Sequence, residues 1–356
     1  MKFNIMEWMK NSLVQDKKDW FRVEHPDADG DGYYSTSLPV IIFQMMEQNL
    51  QVARLIGEDL VKKVLELFAD ELSLFAKDYT AEIESYKDRH LQDRSEIKFF
   101  LHYMIANINN CLSFGEYMKQ LRNRYLKEDF EEDEENIRKD RFQQLNDTFL
   151  KIAKTGTSII LEEVFIDLKN SKVFEEILTK TWLQSSHFVD IICATWADYS
   201  NDFIHLKPRF NNEVVEAGQK RVLMEYLKSL FTKKLQFKTY DERKIAAEKL
   251  VKEGTQLGEL FQKYGTPKVT ENIFHMLPVL AEVLKLKDTS MLSLEVMGVL
   301  KKYPDIQMEQ LISLLVLRGD MNRSEARQVI QDIIGDEDPL RPKPKGIFTE
   351  VANLKP

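Results

Sequence analysis

The chain has 356 residues, 43% hydrophobic and 30% charged, with a net charge of −8. That length exceeds what one hydrophobic core serves, so two domains are expected. The acidic balance argues against general nucleic-acid binding, which needs a basic surface to neutralise phosphates. The 13 glycines and 10 prolines fall well below typical usage of roughly 7% and 5%, too few for a meander of short strands.

Apolar residues recur at steps of three and four through most of the chain, the signature of amphipathic helices. Residues 2–22 form the first such stripe, with Ile5, Met9, Leu13 and Trp20 on one face. The acidic loop EHPDADGDGYYSTS follows, and a helix is expected from Leu38, capped by Ser37 with Pro39 in its first turn. Gly57 separates it from a helix carrying Leu60, Val64, Leu67, Phe68, Leu72, Phe75 and Tyr79. Residues 95–126 repeat apolar positions at Ile97, Phe100, Met104, Ile108, Leu112, Met118, Leu121 and Tyr125, a spacing suited to antiparallel bundle packing.

The run EDFEEDEE at 128–135 is expected to be a solvated loop and first turn. Phe142, Leu145, Phe149 and Ile152 mark a helix that Gly156 should end, followed by a helix at 158–178 and one carrying Ile192, Trp196, Tyr199 and Phe203. Lys207-Pro208 is the strongest break, because proline cannot continue the preceding ladder. It divides the chain into a helical bundle at 1–206 and a second bundle at 207–356. The second holds helices at about 210–236, 241–263, 269–286, 289–302, 306–318 and 323–334, then an extended proline-rich tail packing through Ile347 and Phe348. No fixed-period repeat is present. The fold class expected is all-α, an elongated rod of consecutive antiparallel helical bundles.

Motifs for chemistry are few. Asp27, Asp29, Asp31 and Gly32 fall at positions 1, 3, 5 and 6 of a calcium-binding helix–loop–helix pattern. Position 12, which needs a bidentate Glu, is Leu38, so the loop reads as an acidic turn with a calcium switch as the rival. Arg318-Gly319-Asp320 spells an integrin-recognition tripeptide, yet it lies between two helices, with Gly319 suited to a helix C-terminus and Asp320 or Asn322 to the next cap. The six histidines form no HExxH or other metal-ligand spacing, and Cys111 and Cys193 read as reduced core thiols of a cytosolic protein. There is no GxSxG, Walker loop or GxGxxG. The sequence therefore predicts no enzyme, no cofactor and no resident metal. It offers neither a secretory leader nor a membrane-spanning run, since the uncharged stretch from Phe99 to Gly115 contains Asn107, Asn109 and Asn110.

Trp8, Trp20, Trp182 and Trp196 fit core stripes. Small basic clusters at Lys62-Lys63, Lys233-Lys234, Lys301-Lys302 and Arg341-Lys343-Lys345 are candidate lipid or partner contacts, the last three being the site residues selected.

Five ordered stretches carry a resemblance: STSLPVIIFQMMEQN, ATWADYSNDFIHLKPRF leading into VLMEYLKSLFTKKLQF, DERKIAAEKLVKEGTQLGELFQKYG, LPVLAEVLKLKDTSMLSLEV and KYPDIQMEQLISLLVLRGDMNRSEARQVI. From about Pro39 to Arg327 the chain resembles the C-terminal half of the exocyst complex component 3 family, vesicle-tethering subunits of the exocyst. The same region resembles the tumour-necrosis-factor-induced protein of membrane nanotubes. The resemblance implies a longer protein with an N-terminal coiled coil, a rod of helical bundles and no catalysis. It implies assembly with other exocyst subunits, contacts with SNARE proteins and their regulators, and a peripheral place at exocytic sites of the plasma membrane. Its rival implication is a phosphoinositide-binding, membrane-remodelling protein that docks on anionic membrane through its basic faces.

Overall fold

The computed structural model describes residues 2–125, 141–185, 187–233, 235–265, 272–335 and 344–353. The fold is all-α, as the periodicity predicts; the strands among the described residues are a single pair of two-residue segments. The chain packs as two compact units, Met1–Glu163 with Ser200–Val214 and Val164–Tyr199 with Val215–Pro356.

In the first unit, α1 (Lys2–Asp19) packs on α2 (Leu38–Ile56) and α3 (Glu58–Gln92), and α4 (Phe100–Tyr125) closes the bundle against α2 and α3. Ile5, Met9, Leu13 and Trp20 are all buried, so the first apolar stripe is read correctly, although the helix stops at Asp19. α3 outruns its predicted stripe and reaches Gln92. Glu58 and Asp59 in its first turn and Arg89 and His90 in its last complement the helix dipole. Gly57 breaks α2 from α3 at φ +155°, a conformation costly for any residue with a Cβ. Leu60, Leu67, Leu112 and Tyr125 are only half-buried, at the edges of their stripes.

Three expectations need correction. Ser37 precedes α2 but makes no capping bond; the Leu38 amide turns to the Thr36 hydroxyl at 3.4 Å. Gly156 does not end a helix: α5 (Arg141–Asn170) runs straight through it. The reason is close packing, since a methyl at Gly156 would sit 2.6 Å from Ile108 Cγ1 of α4. Thirdly, part of the tail is helical, as described below. The acidic run at 128–135 lies outside the described residues.

The second unit begins with the remainder of α5 and two short turns, α6 (Val173–Glu176) and α7 (Lys180–Gln184). α8 (His187–Phe203) and α9 (Pro208–Thr232) follow, with Pro208 in a first turn where its missing N–H costs nothing. α10 (Tyr240–Tyr264) starts with a capping box between Thr239 and Glu242. It packs along α11 (Met276–Lys285), which in turn contacts α12 (Leu292–Lys302) and α13 (Met308–Leu317). α14 (Arg323–Ile334) opens with a second such box, Asn322 with Glu325.

The segment read as an extended tail forms α15 (Ile347–Asn353). Its start is fixed by Asp305, whose Oδ2 accepts the Phe348 and Thr349 amides at 2.8 and 3.2 Å. Phe348 is fully buried beside Phe231 and Tyr303, the anchoring role the sequence assigns it. Trp20, Trp182 and Trp196 are completely buried, while Trp8 is half-buried.

Candidate functional site

The acidic loop of the first unit is built as a pinned turn. Asp27–Ala28 pairs antiparallel with Tyr34–Ser35, Asp27 opposite Ser35 and Ala28 opposite Tyr34. Asp29 Oδ1 accepts the amides of Asp31 and Tyr33 at 3.0 and 2.9 Å, so this carboxylate is spent on the backbone. Leu38, where an ion would need its bidentate carboxylate, is a buried core residue at the start of α2. Among the described residues no three His, Cys, Asp or Glu side chains are placed to hold a metal.

What pins the loop is a set of buried asparagines on α4. Asn109 Nδ2 donates to the Tyr34 and His205 carbonyls, both at 2.8 Å, and its Oδ1 accepts the Lys207 amide at 2.9 Å. Asn110 exchanges bonds with the Thr36 amide and hydroxyl at 3.1 and 2.8 Å. Asn107 Oδ1 accepts the Tyr79 hydroxyl at 2.7 Å. Polar residues that look like interruptions of an apolar run are thus the link between the loop and residues 205–207.

The same place gathers half of the histidines, at positions too distant in sequence to suggest it. Tyr34 stacks on His205 at 4.0 Å, and its hydroxyl lies 3.4 Å from His25 Nδ1. His25 meets His102 edge-on at 4.6 Å, and His102 Nε2 lies 3.2 Å from Asp202 Oδ1. Lost solvation and the neighbouring His102 and His205 lower the His25 pKa, with Asp202 opposing. Elsewhere in this unit, the buried Glu163 accepts from His90 at 3.1 Å and Arg94 at 2.8 Å. Burial works to raise its pKa, but these two partners outweigh burial and hold it below the usual carboxylate value. A groove of about 250 Å³ beside it is lined by Lys87, Leu91, Thr155, Ser158, Ile159, Glu162 and Glu163.

The second unit holds two buried polar hubs. Glu253 receives the Tyr226 hydroxyl, the Trp182 indole N–H at 3.0 Å and the Lys249 ammonium at 3.5 Å. Burial nevertheless leaves its pKa raised. Arg318, fully buried, donates to the carbonyls of Val283 and Leu286 at the end of α11 and to Asp320. The Arg-Gly-Asp tripeptide is therefore a helix joint with its arginine inside the protein, as its place between two helices suggests. Both hubs consume their polar groups internally.

The basic candidates sit at the ends of different helices. Lys233 donates to the Glu175 carbonyl, which gives it a structural partner at the end of α6. Lys301 and Lys302 are exposed at the end of α12, with Lys302 5.6 Å from the Tyr303 ring, and Lys345 is exposed before α15. Lys234, Arg341 and Lys343 lie outside the described residues. Apolar side chains also face solvent. Val52, Leu55 and Ile56 end α2, and Met291, at the turn that leads into α12, forms a ridge with Leu294 and Met297 of that helix.

The fold and the internally paired polar hubs define a helical-bundle protein whose outward features are surface patches. The chain belongs to the exocyst complex component Sec6 family, whose sequence model matches residues 1–323. It is 32% identical over 334 residues to Exocyst complex component 3 of Drosophila melanogaster, covering 93% of this chain and 44% of that protein. It is 27% identical over 354 residues to the Exocyst complex component 3-like protein of Danio rerio, covering 98% of this chain and 44% of that one. The crystal structure of the C-terminal domain of the exocyst subunit Sec6p superposes with a TM-score of 0.76 at 20% identity, covering 93% of this chain and 87% of that domain. The chain spans less than half the length of these curated relatives. No helix among the described residues is long and apolar enough to cross a membrane.

Proposed function

We propose that this chain is a non-catalytic scaffold segment of an exocyst-type vesicle tether, working by binding other exocyst subunits through helix surfaces. The observation that carries the proposal is the family match over residues 1–323. The internal pairing of Arg318 and Glu253 supports it, because side chains engaged in holding helix ends are withdrawn from chemistry. The proposal extends to contacts with SNARE proteins and their regulators, and to peripheral attachment at exocytic sites of the plasma membrane.

The test is affinity purification of the full-length protein from cells. Recovery of the other exocyst subunits at near-equal amounts supports the scaffold, and their absence overturns it. Sedimentation with vesicles addresses the membrane-remodelling alternative: strong, salt-sensitive binding of the purified chain to phosphoinositide vesicles favours that alternative.

A further inference from the structure

The outer face of α12 does not look like an ordinary solvated helix face. Leu292, Val296 and Val299 bury its inner side. On the outer side, Met291 is 46% exposed, Leu294 56% and Met297 46%. Met291, the N-cap residue of α12, and Leu294, Gly298 and Lys301 within it follow at steps of three, four and three, so they make one row continued from the cap along the helix. Gly298 lowers the row in its middle: nothing lies within 4 Å of where its Cβ would be. The row is therefore an apolar ridge with a shallow notch, open along its length.

Its charge setting is unlike that of the whole chain. Residues 285–302 carry four lysines against Asp288 and Glu295, whereas the chain as a whole has a net charge of −8. The lysines stand at both ends, Lys285 and Lys287 before the ridge and Lys301 and Lys302 after it. Lys285 faces Glu282 at 3.6 Å and Lys287 lies 5.3 Å from the Tyr240 ring, so one end is partly engaged. Lys301 and Lys302 make no ion pair among the described residues.

We infer that the α12 ridge docks an acidic amphipathic helix of another protein, with Met291, Leu294 and Met297 as the apolar seam and Lys301 and Lys302 pairing its carboxylates. This deepens the scaffold reading above and rests on it. Charge complementarity selects the occupant. A second copy of this chain would set lysine against lysine at the ends of the seam, which is repulsive. A membrane surface asks for four or more basic residues together, whereas the lysines here stand as two pairs at opposite ends of the ridge, one pair already partly engaged. An acidic helix fits this arrangement, because its carboxylates pair with the end lysines while its apolar face covers the ridge between them.

The test uses the full-length protein in cells, with the photoreactive residue p-benzoylphenylalanine at position 294. The expected adduct is a peptide with apolar residues at three- and four-residue steps and net negative charge. The adduct should fall at least about tenfold when Lys301→Glu and Lys302→Glu are added. Both lysines are exposed, so helicity by circular dichroism should be unchanged by these substitutions. Adducts to lipid, to a second copy of this chain, or to a peptide without negative charge overturn the inference, as does a yield indifferent to charge reversal. If other exocyst subunits co-purify while residue 294 captures no peptide, the ridge assignment alone fails. If no subunit co-purifies, it is the scaffold reading that fails.

Discussion

Arg318 and Asp320 bind each other: Nη2 lies 2.6 Å from Oδ2 and Nε 3.1 Å from Oδ1, so the charged ends of the Arg-Gly-Asp tripeptide close on themselves. The remaining guanidinium protons go to carbonyls at the end of α11, and Gly319 makes the turn at φ +74°. The pair ties the end of α13 to the end of α11 and, through Arg243, to α10. Its arginine is 0% exposed, which denies the tripeptide to any receptor while the protein is folded.

Replacing Arg318 with Ala leaves the buried α11 carbonyls without this donor, while Asp320 is partly exposed and still faces Arg243 at 3.6 Å, so the expected cost is about 2–4 kcal/mol. Arg318→Lys should recover little, because an ammonium reaches one acceptor where the planar fork reaches several. Urea unfolding of both variants checks this. A loss below about 1 kcal/mol in Arg318→Ala would show that the joint is not held by this side chain.

Asn109 is the corresponding test in the first unit. It serves three backbone groups at once; in Asn109→Ala the His205 carbonyl keeps the Tyr34 amide at 3.2 Å, but the Tyr34 carbonyl and the Lys207 amide lose this partner, for an expected loss of roughly 1–3 kcal/mol. Asn109→Asp should be worse than Ala, because a carboxylate keeps the Lys207 amide but repels two carbonyls from a buried site. Limited proteolysis should cut first within residues 25–36 of both variants. Equal protease resistance in wild type and Asn109→Asp would remove the pinning role.

Legibility of the fold followed the physics of each element. The three- and four-step stripes disclosed α1, α3, α4 and the helices of the second unit, because burial of one face is written locally. Gly156 misled because its meaning is tertiary: it is small to admit Ile108 of another helix, and no local pattern carries that. The helix at Ile347–Asn353 was hidden in the same way, since its start depends on Asp305, 43 residues away from Phe348. The grouping of His25, His102 and His205 had no sequence signal at all. The basic pairs were visible as sequence, but exposure distinguishes them, Lys233 being tied to a carbonyl and Lys301 standing free of ion pairs among the described residues.

The stability of the first unit should depend on pH through Asp16. This buried carboxyl accepts the Trp20 indole N–H at 2.9 Å, and burial raises its pKa from 3.8 to about 6. A carboxyl whose folded pKa is raised favours the folded state only while protonated. Its contribution is therefore best below pH 4 and is lost as pH rises from about 4 through 6. Asp16→Asn keeps an acceptor for Trp20 without the charge. Its melting temperature relative to wild type should rise across that interval and level off above it, with a ceiling of about 3 kcal/mol at neutral pH. A difference that is flat from pH 4 to 7 would show that Asp16 titrates normally.

Two glycines on solvent-accessible helices should respond to the same substitution with opposite signs. At Gly218 the backbone of α9 lies directly on Trp196, a fully buried indole packed 4.6 Å from Phe261, and an added methyl would overlap the indole ring. Gly218→Ala must push a large, close-packed side chain off its rotamer, at a cost of roughly 1–3 kcal/mol. At Gly298 nothing stands within 4 Å and the backbone is ordinary α-helix, so Gly298→Ala removes unfolded-chain freedom at no steric cost and should stabilise by about 0.5–1 kcal/mol. Thermal melts of the two variants side by side decide the matter. Stabilisation by Gly218→Ala would mean that α9 does not rest on Trp196, and destabilisation by Gly298→Ala would mean that the notch on α12 is already filled within this chain.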